Sequence, residues 1–248
     1  MIHHRASQLS IVALSLAAHV SGCTSSDSKN VPTPTPTSIH QAKMTPPPDG
    51  AVVLWDGSST DQLVMTSGDP LRWGVDGAEL LVTRGTGDVQ SATPLGSGHY
   101  HIEWLSPEGG SRHGQRNGNS GVKIESRYEV QILNTPSPSD ALPLPNNEAG
   151  SIYALRAPDH NASAGAGNWQ SYDIVYTAPT WSKDQKQSHA RMSVWWNGVL
   201  VHNDIIIPGP TGASATESPT MLPLLLQDHA TTAQGPVRFR NIWHLPGS

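Results

Sequence analysis

The chain has 248 residues, a formal net charge of −5 with 14% charged residues, and no basic run, which argues against nucleic acid as a partner. Its single cysteine, Cys23, excludes an intrachain disulfide. Eight tryptophans stand against one phenylalanine. Indole rings fill cores but also stack on sugar rings, which keeps carbohydrate in view as a ligand class.

The first 23 residues do not belong to a fold. His3, His4 and Arg5 make a short polar start, an apolar run from Leu9 to Ala18 follows, and Val20-Ser21-Gly22-Cys23 closes the segment. These are the parts of a secretory signal peptide, and the apolar stretch is too short to span a bilayer. The ending resembles a bacterial lipobox, whose cysteine becomes a lipidated N-terminus. The expectation is a bacterial cell-envelope protein, periplasmic or outer-surface, held on a membrane by acyl chains at Cys23 without crossing it. Residues 24–48 are rich in Ser, Thr and Pro; such a segment buries too little apolar surface to fold and reads as a tether. Residues 49–248 then suit one all-β domain.

Along that part, short strand-like runs alternate with turn signals, and no long amphipathic helix is evident. The runs are residues 51–55, 79–83, 100–105, 121–125, 128–133, 171–177, 191–196, 199–203, 222–227 and 237–245. Asn197-Gly198 between two of them is a hairpin signal, because Asn-Gly readily takes the positive φ of a type I′ turn. Longer connections at 106–120, 134–149, 156–168 and 208–221 read as surface excursions of the kind that often carry function. Two packed antiparallel sheets are expected.

The segments LWDGSSTDQLV, WGVDGAELLV, YHIEWLSPEG, GNSGVKIESRYEVQIL, WQSYDIVYTAP, VWWNGVLVHN and LLLQDHATTAQGPVRFRNIW occur in this order. As an ordered set they resemble the 3-keto-disaccharide hydrolase family, from about Val52 to Leu245. The resemblance implies a concanavalin-A-like jelly-roll sandwich of the lectin and glucanase kind. It also implies bacterial proteins acting on glycosides already oxidised at C3, so a separate sugar 3-oxidase is expected upstream. The sequence departs from the family pattern at Asn134, where an aspartate is favoured, and at Ser126 and Ala154, where glycine is favoured.

A 3-keto sugar opens a route to glycoside cleavage that needs no direct displacement. The carbonyl acidifies the C2 hydrogen, a base removes it, the C1–O bond is lost by β-elimination, and water adds back. This asks for a base, an acid for the leaving oxygen, and a cation or hydrogen-bond donor for the enediolate; a divalent metal could supply the last. In YEVQIL, Tyr128, Val130 and Ile132 face one way and Glu129 and Gln131 the other. In YHIEWL, His101 and Glu103 take the polar face opposite Tyr100, Ile102 and Trp104. Glu129 and His229 are therefore candidate acid–base residues. Gln131, Gln227, Asn119, His101 and Glu103 are candidate substrate contacts, with His101 and Glu103 expected on a strand neighbouring Glu129. His101, Glu103 and Glu129 are the candidate metal ligands, with no cofactor certain. Gln227 and His229 should share a face, with Asp228 turned away. Arg238 and Arg240 alternate on the last strand opposite Val237, Phe239 and Asn241; either could meet an oxyanion. Trp169 and Trp195 are expected in the core, and Trp181 in a loop.

His113, His160, His189 and His202 show no H-x-H or HExxH zinc spacing, no glycine-rich dinucleotide loop follows a strand, and the G-x-S-x-G elbow of esterases is missing. Two other readings stay open. One is a non-catalytic carbohydrate-binding module on the same sandwich. The other is a retaining glucanase, which the Glu129-x-Gln131 pair fits less well than the two carboxylates that reaction uses.

Overall fold

The computed structural model describes residues 43–109, 114–135, 144–229 and 235–247. The leader, Cys23 and most of the tether lie outside them. Among the described residues there are fifteen strands and no helix. They are β1 (Val52–Trp55), β2 (Leu63–Met65), β3 (Gly74–Asp76), β4 (Glu79–Leu81), β5 (Val89–Ser91), β6 (Gly98–Leu105), β7 (Ser120–Ile124) and β8 (Tyr128–Ile132). Then follow β9 (Gln170–Thr177), β10 (Trp181–Ser182), β11 (Gln185–Lys186), β12 (Ala190–Trp196), β13 (Val199–Ile207), β14 (Leu225–Leu226) and β15 (Arg238–Pro246).

A broad sheet runs β13-β12-β9-β6-β15-β4-β3, with β1 also on β15, and a narrow sheet runs β2-β5-β14-β7-β8. All pairings are antiparallel, and β10 and β11 form a hairpin of their own. This is the expected all-β sandwich. Period-two alternation fills the space between the sheets: Tyr100, Ile102 and Trp104, Tyr172, Ile174 and Tyr176, and Met192, Val194 and Trp196 from the broad sheet meet Val122, Ile124, Tyr128, Val130 and Ile132 from the narrow one. All are at most 1% exposed. Two contacts fix the sheets face to face: the Tyr128 and Tyr176 rings lie 5.8 Å apart, and the Tyr172 hydroxyl donates to the Gln131 carbonyl at 2.6 Å.

The turns follow their chemistry. Asn197 and Gly198 have φ of 50° and 78° between the paired residues Trp196 and Val199, as a type I′ hairpin requires. Ser126 and Ala154 have φ of 51° and 58°, so the two positions where family resemblance favours glycine are left-handed. At the third departure, the Asn134 amide donates to the carbonyls of Pro107 and Gly109 at 3.3 and 3.4 Å, which a carboxylate could not do.

Several expectations need correction. Trp195 is not in the core: alternation in β12 sends Ala190, Met192, Val194 and Trp196 inward and leaves Trp195 partly exposed on the outer face. Trp169 is buried, but on that outer face, with the Arg240 guanidinium 4.0 Å above its ring. Asn241 does not continue the inward row of Val237 and Phe239. A register shift between Arg240 and Trp243, with Asn241 at φ 47°, turns its amide outward onto Glu103 at 2.7 Å. Thr45, within the expected tether, is already docked: its N–H donates to Glu103, and its carbonyl accepts from Asn241 and Trp243.

Candidate active site

The outer face of the narrow sheet is built by the β7–β8 hairpin. Its three-residue turn, residues 125–127, sets the register so that Lys123 faces Glu129 and Gly121 faces Gln131. Glu129 and Lys123 are each only 4% exposed, and Lys123 Nζ lies 3.7 Å from Glu129 Oε2 while donating to the Ala213 carbonyl at 2.9 Å. Two glycines make the seat: a Cβ on Gly121 would collide with Glu129 Oε1, and one on Gly212 would come within 3.0 Å of Oε2. Thr211 Oγ1 caps the Glu129 N–H at 2.7 Å, and the Tyr153 N–H donates to the Glu129 carbonyl at 3.0 Å. The segment over Glu129 is itself tied down by Arg127, which is fully buried, pairs with Glu125 at 2.7 Å, and donates to Thr216, Ser218 and Thr220.

Burial pushes the Glu129 carboxyl above its ordinary range; Lys123 pulls it back only in part, and Asp88 adds to the rise. Asp88 is raised too, again chiefly by burial, against the Asp228 N–H, Lys123 and His229. Asp88 and Asp228 lock the end of β14 to the start of β5: the Asp228 N–H donates to Asp88 Oδ1 at 2.7 Å, and the Gly87 N–H to Asp228 Oδ2 at 3.0 Å. Among the described residues, Asp228 Oδ1 is buried without a hydrogen-bond partner. Beside this lock lies a cleft of about 400 Å³ whose polar lining includes Thr83, Arg84, Asn119, Asp228 and His229, a size suited to a small ligand.

The sequence candidates divide as follows. His229 and Asn119 share the cleft. Glu129 and Gln131 lie on the outer face of the same sheet but are enclosed and do not line it. Gln131 donates to Gln115 Oε1 at 3.1 Å, and Asn119 donates to that oxygen at 3.2 Å, so a chain of amides leads from β8 to the cleft wall. Gln227 is partly exposed, its N–H bonded to Gly121 and its carbonyl to Ser120. Asp228 is not turned away: β14 ends at Leu226, so alternation lapses and Asp228 joins His229 in the cleft. Asp88, Lys123 and Arg84 were not anticipated. Lys123 was recoverable from the hairpin register; Asp88 and Arg84 lie in connections with no periodic signal.

His101 and Glu103 require a larger correction. They stand on β6 of the broad sheet, so they are on the opposite side of the sandwich from Glu129, not on a neighbouring strand. Both are fully buried and saturated. Glu103 accepts from Arg240 and Asn241 at 2.7 Å each and from Thr45 at 3.2 Å. His101 meets Asp173 Oδ1 at 2.8 Å and stacks on Trp243. Burial disfavours the His101 cation, but Asp173 and Glu103 outweigh it and lift the imidazole to about 9. Burial likewise opposes ionised Asp173, yet His101 and His99 hold it down to about 2. Glu103 is lowered despite burial, through His101, Asn241 and Arg240. The two arginines considered for an oxyanion are also paired, Arg238 with Glu79 and Arg240 with Glu103. The three proposed metal ligands therefore do not converge, and among the described residues no group of three His, Cys, Asp or Glu is placed to hold a metal ion.

Residues 50–244 match the sequence profile of the 3-keto-alpha-glucoside-1,2-lyase-like domain. No curated protein matches the chain. A crystal structure from Parabacteroides distasonis ATCC 8503, named provisionally as a glycosyl hydrolase, is 30% identical, with a TM-score of 0.73 over 88% of this chain and 95% of its own. Another from the same organism, with the same provisional name, shares the fold at 17% identity and a TM-score of 0.59, covering 80% of this chain and 94% of its own. The profile match takes in nearly the whole sandwich, and the chain belongs to the 3-keto-disaccharide hydrolase family.

Proposed function

We propose that this protein cleaves 3-keto-glycosides by β-elimination followed by hydration. Family membership makes it a carbohydrate-active protein. The observation that carries the finer reading is the cleft at the end of β14, where an imidazole, a guanidinium and an amide sit together beside carboxylates that burial has made basic. In this mechanism His229, at the cleft wall, takes the C2 proton as general base. Arg84 faces the oxygen at C3 as negative charge develops there. Asn119 and Asp228, at the cleft wall, hold ring hydroxyls. Glu129 supplies the second proton transfer, at the leaving oxygen or the hydrating water, when residues 211–213 move off it. We propose that acyl chains at Cys23 hold this chemistry at a membrane surface, downstream of an oxidase that makes the 3-keto sugar.

The test is to incubate purified protein with a 3-keto-glucoside deuterated at C2 and, separately, with its unoxidised parent. Cleavage of the keto substrate alone, with the label lost to solvent, is expected. Cleavage with full retention of deuterium overturns the elimination mechanism. No cleavage of either compound overturns the enzyme reading in favour of a binding module.

A further inference from the structure

We infer a second, non-catalytic sugar-binding site on the outer face of the broad sheet, one that takes a pyranose unit of an intact glycan. The ligand class rests on the carbohydrate reading above; the site itself is independent of the cleft. A cavity of about 330 Å³ is lined there by His99, Asp173, Val175, Trp195 and Gly198. Trp195 is paired in register with Asp173, and Asp173 with His101, so an indole and a carboxylate stand side by side across adjacent strands.

The polar half is rigid. Asp173 Oδ1 meets His99 Nε2 at 2.9 Å and His101 Nδ1 at 2.8 Å. Both rings pack on Trp243, His101 stacked and His99 edge-on, each with centroids 4.9 Å apart. Both contacts fall on Oδ1, which leaves Asp173 Oδ2 without a protein partner among the described residues. His99 and Asp173 keep side-chain exposures of 34% and 27% at the pocket wall. The remaining side is open: Gly198, at φ 78°, has nothing within 4 Å of where a Cβ would stand.

This pairing matches the two faces of a pyranose. The ring's C–H face lies on an indole, while a fixed carboxylate accepts from neighbouring hydroxyls and an imidazole serves another. The lining holds no lysine or arginine, which disfavours phosphate or other anionic ligands. Alternation alone explains why Trp195 points outward, but not why a residue with so large an apolar surface occupies a solvated position beside an oriented carboxylate.

The experiment measures binding of cellohexaose and maltohexaose, both unoxidised, by titration calorimetry with the wild type, Trp195→Ala, Val175→Glu and His229→Ala. Val175 is 45% exposed, so its substitution narrows the pocket without entering the core and serves if Trp195→Ala fails to fold. Expected are saturable binding of at least one hexamer to the wild type, at least tenfold weaker binding in both pocket variants, and full binding in His229→Ala. Turnover of a small 3-keto-glucoside should be unchanged in Trp195→Ala. The inference is overturned if neither hexamer binds the wild type, if the pocket variants bind as the wild type does, or if only His229→Ala loses binding. Hexamer binding that depends on Trp195 in a protein that cleaves no keto-glycoside would uphold this site while refuting the proposed reaction.

Discussion

The two outer faces of the sandwich carry similar side chains in opposite electrostatic conditions. On the broad sheet, buried Glu103 and His101 and half-buried Asp173 sit among partners that favour their charged forms, so the carboxyls are lowered and the imidazole raised. On the narrow sheet, buried Glu129 and half-buried Asp88 have too little compensation, and both carboxyls are raised. Where charge is favoured by its surroundings, the group strengthens the fold; where it is disfavoured, the group takes up a proton more readily than an exposed carboxylate does.

The largest effect that would test this contrast is on turnover. His229→Ala should lower kcat for a 3-keto-glucoside by about 100- to 10,000-fold and leave the melting temperature within a few degrees of the wild type. Steady-state kinetics and a thermal melt on one preparation check it. Glu103→Gln should do the reverse. Removing the charge that meets Arg240 and Asn241 at 2.7 Å each should cost about 3 kcal/mol of stability, while turnover measured below the melting transition stays near wild type.

Glu129→Gln sharpens the comparison. Because burial already disfavours the Glu129 charge, the amide should change denaturant stability by less than about 1 kcal/mol, yet lower turnover by about 100-fold. A loss of stability as large as that of Glu103→Gln would erase the distinction between the faces. The pH profile is a gentler probe. His101, lifted from 6.5 to about 9, contributes stability that is complete below pH 6.5 and lost as pH rises through about 9. Asp173, lowered from 3.8 to about 2, contributes stability present above pH 3.8 and lost as pH falls toward 2. Melting temperatures of the wild type should thus fall off on both sides of a plateau, and His101→Gln should remove the alkaline limb. The smallest effect lies away from both faces. Ala154→Gly relieves a left-handed residue at φ 58°, and the net gain after glycine's greater unfolded-state freedom is about 0.5–1 kcal/mol by urea unfolding.

How much of this could be read from residues alone depends on range. Alternation in β6 and β8 identified which side chains fill the core, and Asn197-Gly198 identified a turn, because those signals are local. The strands β2, β3 and β5 have three residues each, too few for a period to register, so Asp88 beside β5 had no element to be assigned to. The pairing of His101 and Glu103 with Glu129 failed for a different reason. Period two says that a residue faces outward but not from which sheet, and sheet membership is decided by strand pairings far apart in the sequence. Asp228 was misplaced because a strand pattern was extended past Leu226, where β14 ends.

The role of β15 bears on how the chain reaches this state. Arg238–Pro246 hydrogen-bonds to β6 along one edge and to β4 and β1 along the other. A chain emerging from its N-terminal end therefore cannot close the broad sheet until more than two hundred residues have been made, and β1 waits throughout with an exposed edge. Pairing of such long sequence separation predicts slow folding, on the order of milliseconds to seconds. It also implies an interval during which the nascent polypeptide remains open to chaperones.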